Sequence, residues 1–148
     1  ILAGIGRAQL EVLEDRVKAR RAIYQKYASA LQSIPGVEFM PELKGTRMNR
    51  WLTAMTIGEE AGMTSLELIH SLAEDNIEAR PVWKPLHLQP LFSACRYYPH
   101  CDEDSVSERL FRTGVCLPSG SAMTEQEQYR VIERIQSVMN VNRFTKGA

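Results

Sequence analysis

From Leu2 to about Ser33 apolar side chains return at three- and four-residue steps, through Leu10, Leu13, Val17, Tyr24, Tyr27 and Leu31, with Glu11, Glu14, Arg20, Arg21 and Lys26 between them. That spacing predicts one long amphipathic helix, roughly 45 Å at ~1.5 Å per residue. Pro35-Gly36 stops it. The opening turns, ILAGIGRAQL, differ from the rest: the small residues Ala3, Gly4, Gly6 and Ala8 let another backbone approach closely, which suits packing against a neighbouring element.

Further along, the period changes. Val37 to Met40 is a short strand, Glu42 to Arg50 a polar loop containing Gly45, and Trp51 to Ile57 (WLTAMTI) a run of β-formers that reads as a second strand. After a turn at Gly58 to Met63, Thr64 caps a helix with Glu67 at the capping-box position; Leu66, Leu68, Ile69 and Leu72 carry it to about Asp75. Asn76 ends that helix, and Ile77 to Arg80 is a strand. Ser105 or Ser107 starts a short helix, VSERLFRTG, with Gly114 as its C-cap. Val115 to Leu117 is a strand and Pro118 to Ser121 a turn. Thr124 caps the last helix, with Glu127 completing the box and Tyr129, Ile132, Ile135, Val138 and Met139 as the core face. The tail from Asn140 to Ala148 reads as polar and frayed. With no internal repeat, the pattern predicts a small α/β sandwich in a single domain, residues 1–148: three or four strands, largely antiparallel, covered by helices.

One stretch fits neither period. Ile77 to Phe92, IEARPVWKPLHLQPLF, sets Pro81, Pro85 and Pro90 among Arg80, Trp83, Lys84, His87 and Gln89. Each proline fixes φ near −65° and removes a donor, and residues ahead of a proline are pushed toward extended geometry. The stretch reads as a stiffened, extended loop that presents side chains, the kind of place where binding residues concentrate. An equally weighted reading makes it a crossover between two elements, with Trp83 plugging the core and Lys84 in solvent. His87 likewise has a plain reading, as a hydrogen-bonder inside the loop.

At 148 residues the chain is the size of one domain and buries about two-thirds of the surface its unfolded form exposes. Eighteen basic residues balance eighteen acidic ones, so no net charge draws it to nucleic acid or an anionic membrane. No apolar run approaches the ~20 residues of a membrane span, and no signal segment opens the chain; a cytoplasmic location is the expectation. Cys95, Cys101 and Cys116 read as reduced thiols. A zinc site built on Cys95, His100, Cys101 and Cys116 is disfavoured, because no Cys-x-x-Cys pair occurs and adjacent His100 and Cys101 do not readily reach one tetrahedral ion. Pro118-Ser119-Gly120-Ser121 precedes a helix as phosphate cradles do, yet lacks the lysine and spacing of a P-loop and reads as a tight turn. Ile1 stands where an initiator methionine would, within a helical pattern, so the chain is expected to continue upstream in a longer parent.

Four segments together carry a resemblance: AGIGRAQLEVLEDRVKARR at Ala3 to Arg21, Asn49-Arg50-Trp51-Leu52 at the entry to a strand, RPVWKPLHLQPLF at Arg80 to Phe92, and CLPSGSAMTEQEQ at Cys116 to Gln128. In this order and spacing they resemble the C-terminal portion of the DegT/DnrJ/EryC1/StrS aminotransferases, pyridoxal-phosphate enzymes that aminate keto groups on nucleotide-linked sugars. The Trp-Lys-Pro ahead of the histidine is most similar to the branch acting on UDP-4-keto-6-deoxy-N-acetylhexosamines.

The resemblance implies the small C-terminal domain of a fold-type I transferase, its first helix leading to a larger domain that holds the cofactor, the Schiff-base lysine and much of the dimer contact. It implies no catalytic and no cofactor-binding residue within these 148 positions, and a fragment inactive by itself. Glutamate, a nucleotide sugar, the cofactor domain of the same chain and a second copy in a homodimer are the implied partners. For the loop it implies substrate contacts: His87 and Lys84 toward the sugar–phosphate side, Trp83 stacked on sugar or base, Arg80 pairing with the donor's carboxylate. The rival class is a stand-alone α/β module that binds a small ligand or a partner through the apolar face of Ile1 to Leu10. Upstream sequence carrying a Schiff-base lysine favours the enzyme; a methionine just ahead of Ile1 favours the module.

Overall fold

Thirty residues without a proline, Leu2–Leu31, form α1 in the computed structural model, which describes the backbone of residues 1–99 and 105–146 and the side chains of that set through residue 140. The apolar stripe of α1 meets the core only near its end, where Ile23, Tyr27, Ala28 and Leu31 are buried. Leu10 and Leu13, of the same stripe, are exposed.

The strands β1 (Val37–Phe39), β2 (Thr53–Ile57), β3 (Arg80–Pro81) and β4 (Gly114–Leu117) make one sheet in the order β1-β2-β4-β3, every neighbouring pair antiparallel. Thr53 pairs with Leu117 and Met55 with Val115, and the alternation along β2 buries Thr53, Met55 and Ile57. The helices α2 (Ser65–Glu74) and α4 (Glu125–Lys146) pack with the end of α1, so that Tyr27, Leu31, Leu68, Leu72, Ile135 and Met139 share one core with Met55, Val115 and Leu117. A fourth helix, α3 (Val106–Thr113), contacts β2, β3 and β4. Both expected capping boxes form: the Thr64 Oγ1 accepts from the Glu67 N–H at 3.2 Å and the Thr124 Oγ1 from the Glu127 N–H at 3.2 Å. Among the described residues no helix is long and apolar enough to cross a membrane.

Several expectations need correction. The strand drawn over Ile77 to Arg80 is confined to Arg80–Pro81, because its partner β4 ends at Leu117 and Pro118 has no N–H to continue the ladder. Trp51 and Leu52 stand outside β2: Arg50 takes a left-handed φ of 51° and turns the chain before it enters the sheet. The proline loop is not extended throughout; it folds into short 3-10 turns at Leu86–Leu88 and Pro90–Phe92, which the fixed φ of Pro90 also suits.

Gly114 is the C-cap of α3 as expected, its N–H donating to the Leu110 carbonyl, but its φ of −84° is not left-handed. Glycine is required there by crowding: a Cβ would lie 2.5 Å from Val82 Cγ2 and closer still to the Leu110 carbonyl oxygen. Tyr129 is 57% exposed, not core. The buried stripe of α4 runs through Gln128, Val131, Ile132, Ile135, Val138 and Met139, and the Gln128 amide donates to the Ile23 carbonyl at 2.7 Å. That helix also continues to Lys146 past the expected fraying point at Asn140, as no proline or glycine interrupts residues 140–146.

Candidate functional site

The edge of the sheet at β3 opens into a groove of about 610 Å³. Arg80, Pro81, Val82, Trp83 and Lys84 form one wall, Trp51 and Leu52 the other, and Cys116, Leu117, Pro118 and Ser119 the floor. The two walls meet in an aromatic pair, the Trp51 and Trp83 rings lying 5.9 Å apart between centroids at 34°. They are 60% and 63% exposed, so Trp83 is not a core plug. Large indoles left in water at the mouth of a groove are the residues a ring-shaped ligand would cover.

The floor is fixed by long-range hydrogen bonds. The Ser119 hydroxyl accepts from the Thr53 N–H at 2.9 Å and donates to the Leu117 carbonyl at 2.7 Å. From α1, the Tyr27 hydroxyl donates to the Pro118 carbonyl at 3.0 Å, and Arg20 Nη1 donates to the Ser119 carbonyl at 2.9 Å and to the Trp51 carbonyl. The turn at Pro118 to Ser121 is thereby a structural knot. Burial raises the Tyr27 phenol above its usual value and does the same to the Cys116 thiol on the floor.

Three of the four loop residues singled out by the sequence line the groove: Arg80, Trp83 and Lys84. Arg80 sits at the rim with its Nε donating to Glu78 Oε1 at 2.7 Å, and Nη2 contacts the same oxygen. The Lys84 carbonyl accepts from the Gln89 amide at 3.1 Å, which closes the loop on itself. His87 does not line the groove. Its side chain is 15% exposed, Nε2 lies 2.9 Å from Glu108 Oε1, and the ring stacks on Tyr97 at 3.6 Å. The Tyr97 hydroxyl in turn lies 2.8 Å from the hydroxyl of Ser105, the N-cap of α3. The histidine therefore ties the proline loop to α3.

Sequence reasoning missed Trp51 as a wall, Arg20 as the clamp across the floor, and Glu108 as the partner of His87. No spacing rule links positions 99 or 21 residues apart. Of the residues weighed for zinc, Cys95 is exposed and Cys116 buried, while His100 and Cys101 lie outside the described residues. Among the described residues no group of three or more metal-ligating side chains gathers.

A model of the DegT/DnrJ/EryC1/StrS aminotransferase family matches residues 1–136. The chain belongs to this family. Among curated family members it is 56% identical over 133 residues to the putative pyridoxal phosphate-dependent aminotransferase EpsN of Bacillus subtilis, a match covering 90% of this chain and 34% of that protein. It is 29% identical over 143 residues to the GDP-perosamine synthase of Vibrio cholerae, covering 95% and 37%. The chain thus spans about a third of the length of the curated relatives it matches. Among solved structures, the aminotransferase TlmJ from Streptoalloteichus hindustanus superposes with a TM-score of 0.78 at 20% identity over 94% of this chain and 36% of that one. DesV of S. venezuelae in complex with a ketimine intermediate gives 0.78 at 22%, over 93% and 35%. These likenesses establish the small-domain α/β fold of the family, with its four-stranded antiparallel sheet.

The family depends on pyridoxal phosphate, and the groove can be tested against that cofactor. Its one amine, Lys84, is on an exposed loop. Its one carboxylate, Glu78, is exposed and already engaged by Arg80, whereas a pyridine nitrogen needs a sheltered carboxylate. These residues do not by themselves fit the cofactor. What they offer is an aromatic and cationic wall.

Proposed function

We propose that these 148 residues are the C-terminal small domain of a pyridoxal-phosphate-dependent aminotransferase that moves an amino group from glutamate to a keto sugar nucleotide of the UDP-4-keto-6-deoxy-N-acetylhexosamine type, for a bacterial surface polysaccharide or glycan. The parent works in the cytoplasm as a homodimer, α1 leads to the domain that holds the cofactor, and the small domain alone is inactive. The observation that carries the reading is the groove: a Trp51–Trp83 pair flanked by Arg80 and Lys84 matches a ligand with flat rings and a diphosphate. Arg80, Trp83 and Lys84 touch that ligand. His87, behind them, holds the loop against α3 and brings the wall up to the substrate.

The test compares this chain with its full-length parent, each incubated with pyridoxal phosphate and then glutamate and followed by absorbance between about 320 and 430 nm. A cofactor band in the parent that glutamate shifts, with neither band nor shift in the isolated chain, supports the division of labour. A parent with no such band overturns it.

A further inference from the structure

Among the described residues, two other than glycine have a positive φ, Asn76 at 55° and Arg50 at 51°. Asparagine adopts this conformation readily and ends α2 with it. For arginine it is strained, and such strain persists only where the surroundings hold it. Here they do. The Arg50 side chain is 5% exposed, with Nη1 donating to the Met40 carbonyl at 2.7 Å and the guanidinium 3.6 Å over the Tyr24 ring. Its Nη2 is 3.7 Å from Glu42, whose carboxylate is gripped in a fork by Arg21 at 2.9 and 3.0 Å and accepts the Met48 N–H at 2.7 Å.

The next residue is Trp51. Its N–H donates to Asn49 Oδ1 at 3.0 Å and its carbonyl accepts from Arg20, so the peptide is pinned on both sides while the indole projects into water toward Trp83. An exposed indole contributes little to the core. The strain at Arg50 gains no burial for Trp51; it gives the ring a direction.

We propose that Arg50 is a positioning residue: anchored through Met40, Tyr24 and Glu42, it holds the left-handed turn that aims Trp51 across the groove, where it completes with Trp83 the face against which a flat ring of the sugar nucleotide packs. The naming of the ligand rests on the functional reading above; the aiming does not.

Trp51 and Trp83 are the two tryptophans of this chain. Two indoles this close and tilted couple their excited states, giving a far-ultraviolet circular-dichroism couplet that vanishes when either ring is removed. In the full-length parent, difference spectra against Trp51→Phe and Trp83→Phe isolate that couplet from other chromophores. Arg50→Ala is expected to abolish it and raise KM for the keto sugar nucleotide about tenfold, while the half-reaction with glutamate stays within about twofold. Arg50→Asn, which tolerates a positive φ, is expected to restore most of the couplet and most of the KM.

Retention of the couplet in Arg50→Ala overturns the proposal, as does its equal loss in Arg50→Asn, or its loss with KM unchanged. Thermal melts identify a variant that fails to fold, and Arg50→Asn is then compared directly with the parent, where loss of the couplet overturns the proposal. A parent that aminates no keto sugar sinks the functional reading, and the couplet, recorded without substrate, still decides whether Arg50 aims Trp51.

Discussion

His87 and Glu108, 21 residues apart, are joined at 2.9 Å between Nε2 and Oε1, and this contact fastens the proline loop to the face of α3. The loop carries no buried residue in either of its 3-10 turns, so polar ties rather than packing hold it. Glu108→Ala is expected to cost about 1 kcal/mol of global stability. Its larger effect is local: amides from 84 to 92 exchange faster with solvent while those of β2 and β4 do not. Equal exchange in both proteins would show that the contact bears no load.

Gly114→Ala tests the crowding between β4 and the loop. The added methyl meets Val82 Cγ2 and the Leu110 carbonyl, the latter a backbone atom fixed within α3. A loss of roughly 2 kcal/mol is expected, a fall in Tm of ~4–8 °C for a domain of this size, measured by calorimetry. Gly4→Ala is the control, since nothing lies within 4 Å of its added Cβ.

Glu42 makes stability depend on acid. The hydrogen bonds from Arg21, then that from the Met48 N–H, lower its carboxyl from 4.5 to about 2. A carboxyl depressed in the folded state contributes stability that is fully present above its unfolded value and is lost as pH falls through the folded one. Urea midpoints should therefore decline between about pH 4.5 and pH 2. Glu42→Gln should flatten the part of that decline due to this residue. Glu14, lowered by Arg47, and Glu127, lowered by the Thr124 N–H and hydroxyl, act in the same direction and leave a residual slope.

The exposed groove residues should separate function from folding. Trp83→Ala and Lys84→Ala in the full-length parent are expected to leave Tm within about 1 °C, as surface changes do, and to raise KM for the sugar nucleotide about tenfold. His87→Ala, by contrast, should lower Tm as well, because it removes the Glu108 and Tyr97 contacts. Unchanged kinetics in all three would remove the groove from the substrate path.

What the residue pattern revealed, and what it concealed, follows from how far apart the causes lie along the chain. The capping boxes at Thr64 and Thr124 were legible because donor and acceptor are three residues apart. That Arg80, Trp83 and Lys84 share one exposed stretch was legible because prolines cluster around them. Tyr129 was misplaced because the core stripe of α4 is set by where α1 and α2 pack, which moved burial to Gln128 and Val131. The strain at Arg50 and the crowding at Gly114 were hidden for the opposite reason: both are imposed by residues from distant segments, and neither condition leaves a local signature.

The long first helix has a mechanical consequence. Its last turns are embedded in the core, its first turns stand clear of this domain, and between them Arg20 and Tyr27 grip the carbonyls of Trp51, Pro118 and Ser119. Its 30 residues carry no proline to kink it sharply. A force on those first turns would reach the groove floor and one tryptophan wall together, because the same two side chains of α1 hold both.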